Sequence, residues 1–198
     1  MTTEKRFSKT QTIAWLGVLL AFVVFFQVFG SYIKIGTTSF SFVLVPIVLG
    51  GLLLGPIGGL FLGLAFSIVV TIMGLAGADG FTNILLANRP FGTLVTIFLK
   101  GILSGLIPAL VFKLFKKNKL VGTFVCSIIA PIINTGIFIV CMLFMSDVLV
   151  ANFVADGTTV IYFLVIICAG VNFLVELALN IVLAPAIYRL TQAIRKIR

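Results

Sequence analysis

Histidine is absent from this 198-residue chain, and acids are scarce: five Asp and Glu against fourteen Lys and Arg. Without histidine, imidazole-based metal sites and histidine-dependent intramembrane proteolysis are excluded. No GxxxxGK[ST] phosphate loop occurs, so the chain has no ATP site of that type with which to energise transport. No serine or cysteine stands beside a recognisable activating base, so no nucleophilic enzyme is read here. Charged residues make up only 10% of the chain, far too few to coat a soluble domain of this length. Cysteine is limited to Cys126, Cys141 and Cys168, each inside an apolar segment. They read as small membrane-buried side chains rather than as disulfide or metal chemistry.

What is present is apolar. The chain is 61% hydrophobic with a mean hydropathy of +1.31. Apolar stretches of about 18 residues or more recur along most of it, each long enough to cross a bilayer core of roughly 30 Å. The expected fold is an all-α integral membrane protein, one domain over residues 1–198, built as a six-helix bundle. The spans are expected at about 11–29, 40–54, 57–75, 91–112, 121–145 and 160–188. The arm MTTEKRFSKTQ leads straight into the first apolar segment with no small-residue cleavage site, so the first span is expected to be uncleaved.

The net charge of +9 does not call for nucleic acid, because its distribution follows the membrane. Basic residues cluster at Lys5, Arg6 and Lys9, in KLFKKNK at 113–119, and at Arg189, Arg195, Lys196 and Arg198. Asp79, Asp147 and Asp156 fall in the other connections. By the positive-inside rule both termini and the 113–119 loop are cytoplasmic, and the connections at 30–39, 76–90 and 146–159 face outside.

Residues 50–63, GGLLLGPIGGLFLG, raise a question of continuity. Gly51, Gly55, Gly59 and Gly63 recur every four residues, as on one ridged membrane helix, yet Pro56 interrupts them. A continuous helix over 40–75 would be about 54 Å long, far more than a bilayer requires. Gly-Pro is also a strong turn signal. Two spans joined by a cytoplasmic turn are therefore expected, with the period across Pro56 incidental. Gly59, Gly63, Ser67 and Thr71 then form a smooth face on span 3, and Gly101 and Gly105 one on span 4.

Polar side chains inside spans are costly unless they face the protein interior, so they are the first candidates for function. Three sets share a helix face by their spacing: Thr96, Lys100 and Ser104; Ser127 and Asn134; Asn172, Glu176 and Asn180. Lys100 precedes Lys113 by thirteen residues and Glu176 precedes Arg189 by thirteen, which puts both roughly 20 Å from the cytoplasmic end. At one level they could form an ion pair holding spans 4 and 6 together, or contact a ligand directly. The amides of Asn134 and Asn172 fall at or above that level, suited to a ligand or to interhelical hydrogen bonds. The outer segment ADGFTNILLANRPF adds Asn83 and Arg89, the latter either a solvated loop charge or a fork for a ligand anion. Together these residues describe a polar pocket open to the outside. On span 1, Ala14, Gly17 and Ala21 make a small-residue face, either for packing within the bundle or for a partner helix.

Six spans in about 200 residues, a small-xxx-small first helix and a basic 4–5 loop resemble the S components of energy-coupling factor (ECF) transporters. So do VPIVLGGLLLGPIGGLFLG at 45–63 and LKGILSGLIPALVFKLFKK at 99–117. The resemblance covers nearly the whole chain. It implies a non-enzymatic subunit that captures a vitamin from outside and needs no cofactor of its own. A transmembrane coupling subunit and two cytoplasmic ATPases would be its partners, and they alone would use ATP. The family's Ala-xxx-Ala docking signature maps onto Gly17 and Ala21, with Ala14 one turn earlier. Its ligand sites lie toward the outer side, where Arg89, Asn134 and Asn172 fall. APIINTGIFIVCMLFM at 130–145 looks most like the pantothenate-type members, while cobalamin, pyridoxine-like and hydroxymethylpyrimidine ligands remain open. Flavin and thiamine are less suited, since Trp15 is the single tryptophan and lies in span 1. Two other classes fit the composition: a stand-alone proton-coupled carrier using Lys100 and Glu176, and a membrane scaffold with no ligand.

Overall fold

The apolar runs fold into helices because a backbone with no water around it must satisfy its own hydrogen bonds. In a computed structural model, residues 7–32, 34–35, 38–39 and 42–196 are described. Residues 40 and 41 of the expected second span, and the expected cytoplasmic charges Lys5, Arg6 and Arg198, lie outside them. The elements in order are α1 (Lys9–Ser31), a two-residue hairpin of β1 (Lys34–Ile35) and β2 (Thr38–Ser39), α2 (Leu44–Leu54), α3 (Pro56–Leu75) and α4 (Gly80–Asn88). There follow α5 (Pro90–Phe112), α6 (Lys119–Leu143), α7 (Ser146–Asn152), α8 (Val160–Tyr162), a π-helical turn (Phe163–Cys168) and α9 (Gly170–Lys196).

Five of these helical stretches are long and apolar enough to cross a membrane, taking 160–194 as one. They match five of the six expected spans within a few residues at most ends. The exception is the second. Its helix, α2, has only 11 residues, about 17 Å of rise, and is too short to cross alone. It is instead the centre of the bundle, with Leu44 and every residue from Pro46 to Leu53 buried. It packs on α3, α5, α6 and α9 as well as α1. Also absent from the expected pattern are the short helices α4 and α7 in two of the connections.

The ends follow local chemistry. Ser8 caps α1 in a reciprocal capping box with Gln11. Gly55 has φ of +84°, a conformation open to glycine, and Pro56 begins α3 with no N–H to leave unpaired. The Gly-Pro turn between α2 and α3 is therefore as expected.

The glycine period across that turn is not incidental. A Cβ at Gly59 would fall on the Gly105 carbonyl, and one at Gly63 on the Gly101 carbonyl. A Cβ on Gly51 of α2 would meet Ala109 Cβ at 3.0 Å and the Gly105 carbonyl oxygen at 3.3 Å. Glycines on both sides of Pro56 thus converge on the Gly101–Gly105–Ala109 face of α5. Ser67 closes the seam, its hydroxyl shared between the Gly63 and Ile97 carbonyls at 3.0 Å each.

Two hydrophobic cores result. The larger joins α1, α2, α3, α5, α6 and α9 around Leu44, Ile47, Val48, Leu62 and Cys126. The smaller joins α4, the end of α6, α7 and the π-turn around Phe81, Met142, Leu149, Phe163 and Leu164. At the opposite end of the bundle, the Gly55 turn, the start of α1 and the basic α5–α6 connection meet.

Gly63→Leu is expected to cost about 1–3 kcal/mol through overpacking of the seam, read as a lower unfolding temperature in detergent. Gly136→Ala, at a position where a Cβ meets nothing within 4 Å, should leave it unchanged within about 0.5 kcal/mol.

Candidate ligand-binding site

Between the two cores lies a cavity of about 100 Å³. Each side chain reaches it for a local reason. Lys100 follows from the glycine seam, because Gly101 meets α3 directly and its neighbour is turned past that contact toward Phe66. Its ammonium lies 5.8 Å from the Phe66 ring centroid and 5.3 Å from that of Phe138, within cation–π reach of both. Asn134 comes from the middle of α6, behind Pro131. Asn172 and Glu176 come from the first turns of α9, one turn apart. The π-turn before them accommodates an extra residue where the chain enters the cavity wall, a distortion often found at functional sites. Cys168 and Ala169, at its end, are part of that wall.

Four expected site residues, Lys100, Asn134, Asn172 and Glu176, therefore share one cavity. The Lys100–Glu176 ion pair, one of the two readings of these residues, is not closed, since among the described residues only Arg89 and Asp147 approach within 4.0 Å. Within the cavity, the Asn134 and Asn172 carbonyl oxygens and one carboxylate oxygen of Glu176 are buried without a hydrogen-bond partner. Glu176 itself is only 3% exposed. Unsatisfied buried acceptors are expensive, more so in a membrane-spanning bundle. The arrangement offers one cation and three waiting acceptors to whatever enters.

Arg89 and Asn83 are elsewhere. Arg89, at the α4–α5 junction, donates to Asp147 at 2.6 Å, with both side chains more than half exposed. The guanidinium holds the Asp147 carboxyl below its ordinary value of 3.8. Asn83 donates to the Gly74 carbonyl at 2.9 Å, tying α4 to the end of α3. Neither lines the cavity.

Several lining residues escape the sequence reading. Asp79 precedes α4 and accepts a hydrogen bond from Thr82 at 2.6 Å. Its placement in a connection marks it as a topological charge, which hides its inward position. Gln27 lines the cavity from α1. As the polar residue of FFQVFG it carries the signal of an intramembrane polar group. Thr135 and the rings of Phe66, Phe81 and Phe138 complete the apolar side, unremarkable in a chain with 20 phenylalanines.

On α1, Ala14, Gly17 and Ala21 are exposed, and a Cβ at Gly17 would meet nothing within 4 Å. The small-residue face points away from the bundle, which removes the internal-packing reading. Gly17 and Ala21 form one end of a shallow apolar groove with Val24, Phe25, Val28 and Phe29.

Residues 11–188 match the family described as ECF transporter, substrate-specific component. The chain belongs to this family. Comparison with curated proteins and with solved structures returned no match. As a substrate-specific component it is a membrane-embedded, substrate-binding subunit of a transporter and not a member of an enzyme family.

The Arg89–Asp147 pair of this substrate-specific component has a stated pH dependence. A carboxylate held below its ordinary value contributes stability above the unfolded-state pKa and loses it as pH falls through the depressed one. Asp147→Asn is expected to flatten the acid side of the stability profile, below about pH 4, and Arg89→Ala should do the same. An unchanged profile in thermal unfolding across pH 3–6 would show the pair to be inert.

Proposed function

We propose that this chain captures a compact, hydroxylated carboxylate of the pantothenate class at the outer face of a bacterial plasma membrane. Both termini are cytoplasmic in this reading and the cavity lies in the outer half. The observation that carries it is the pairing of a single ammonium, Lys100, with three buried acceptor oxygens that lack a partner, one each on Asn134, Asn172 and Glu176, in one cavity. Such a set suits a ligand bearing one anionic group and several O–H or N–H donors. The aromatic walls suit a branched apolar centre. A volume of about 100 Å³ lies well below the 300–1,000 Å³ usual for ligand clefts, which favours a small ligand over one the size of cobalamin.

The ligand is then delivered inward in complex with a transmembrane coupling subunit and two cytoplasmic ATPases, which hydrolyse the ATP. The chain carries no cofactor of its own. The outward-facing Ala14–Gly17–Ala21 surface is the docking face for the coupling subunit. Family membership weighs against a stand-alone proton-coupled carrier.

Isothermal titration against pantothenate, pyridoxine, hydroxymethylpyrimidine and cobalamin tests the ligand, with pantothenate expected to bind tightest. Asn134→Ala and Asn172→Ala should each weaken binding by about 1–3 kcal/mol, since a buried partner is left unsatisfied. Unchanged affinity in both would remove them from the site. Gly17→Leu is expected to abolish uptake by the complete transporter while preserving ligand binding. Concentrative uptake by the chain alone in liposomes would overturn the assignment of energy to partner ATPases.

A further inference from the structure

At the end of the bundle opposite the ligand cavity, a separate cleft of about 590 Å³ opens between α2, α3 and α5. Leu52, Leu53, Leu54, Ile57, Ala109 and Phe112 give it an apolar wall, and Phe7 and Thr12 reach it from the start of α1. Two lysines line it, Lys113 as the cap of α5 and Lys119 as the first residue of α6. The short connection between those helices brings both ammonium groups to one cleft. Lys119 is held there by Phe112, its nitrogen lying 5.1 Å from the ring centroid. Among the described residues, neither lysine has a carboxylate within 4.0 Å. Lys116 and Lys117, on the same connection, are exposed and do not line the cleft.

The position fixes the chemistry. Apolar helices end at this level, so the cleft lies where acyl chains give way to headgroups. An apolar wall beneath two lysines that have no carboxylate partner among the described residues is complementary to a molecule with an apolar body and an anionic head. Ile57, 71% exposed, stands at the open side.

We propose that this cleft is a binding site for an anionic phospholipid, with the phosphate between Lys113 and Lys119 and an acyl chain along the α2–α3–α5 wall. The bound lipid bridges the Gly55 turn to the α5–α6 connection and braces the end of the glycine seam.

The test uses the full chain, delipidated in detergent, with thermal unfolding followed as lipid is added back. Phosphatidylglycerol is expected to raise the unfolding temperature, while phosphatidylcholine and inorganic phosphate should not. Lys113→Gln together with Lys119→Gln should weaken the phosphatidylglycerol response by about thirtyfold in the concentration required, taking each lysine as worth a factor of about five. Lys116→Gln together with Lys117→Gln, which removes the same charge from the same connection, should retain most of it. If the first pair of changes unfolds the chain, Ile57→Trp offers a second route, narrowing the apolar opening without touching a charge. It should reduce the lipid response alone. Equal responses to phosphatidylglycerol and phosphatidylcholine would overturn the proposal. So would equal losses in the two lysine pairs, which would indicate nonspecific surface charge, or a full response to inorganic phosphate, which would indicate an anion site only.

Discussion

Two helices can pass backbone to backbone only where neither carries a side chain in the way, and α3 and α5 do so over two successive turns. Without water-driven attraction between helices, such close contact is a principal source of cohesion in a membrane. Here it also sets geometry. With Gly59 and Gly63 seated on the Gly105 and Gly101 carbonyls, α5 has little freedom to rotate or slide. Lys100 precedes Gly101, so its direction is fixed by the same contact. The Ser67 hydroxyl, bonded across to the Ile97 carbonyl at 3.0 Å, pins the register one turn away. The position of the buried cation is thus a consequence of glycine placement some distance from it.

A cation so placed is costly, and its surroundings moderate the cost without removing it. The ring faces of Phe66 and Phe138 supply favourable quadrupoles, while Glu176 shares the cavity but stays beyond ion-pair distance. A closed buried pair would satisfy both charges internally and leave little to offer a ligand. The open arrangement keeps ammonium and carboxylate available. Its cost is spread over a bundle whose larger core, centred on α2, is apolar and continuous.

Much of this was legible in the sequence, for reasons that can be named. Hydropathy located five long helices, because length and apolarity are set by the bilayer itself. Four polar residues of the cavity, Lys100, Asn134, Asn172 and Glu176, were legible because helical spacing and charge placement give depth as well as face. The second expected span corresponds to the 11-residue α2, and hydropathy reads alike a helix buried in protein and one that faces lipid. Helix length and the Gly-Pro turn make the glycine period across Pro56 look incidental in the sequence, whereas tertiary packing returns Gly51 and Gly59 to the same partner, Gly105. Arg89 misled because a lone outer arginine has the same signature whether it awaits an anion or pairs with Asp147, 58 residues away. Asp79 and the π-turn were hidden, since neither the inward turn of a connection nor one extra residue in a helix leaves a periodic trace.

The division into two cores bears on how a buried cavity can admit a ligand. The larger core and the glycine seam contribute the floor and one wall, through Phe66, Val70 and Lys100. The opposite wall belongs to the smaller core, through Phe81, Phe138 and Cys168. That smaller core is assembled from the short helices α4 and α7, the end of α6 and the π-turn, and α6 and α9 run on from it into the larger core. Units with fewer buried contacts open at lower free energy than the structure as a whole. Lys100 is held on the wall that the glycine seam braces, while Asn172, just past the π-turn, and Asp79, before α4, stand beside the smaller core.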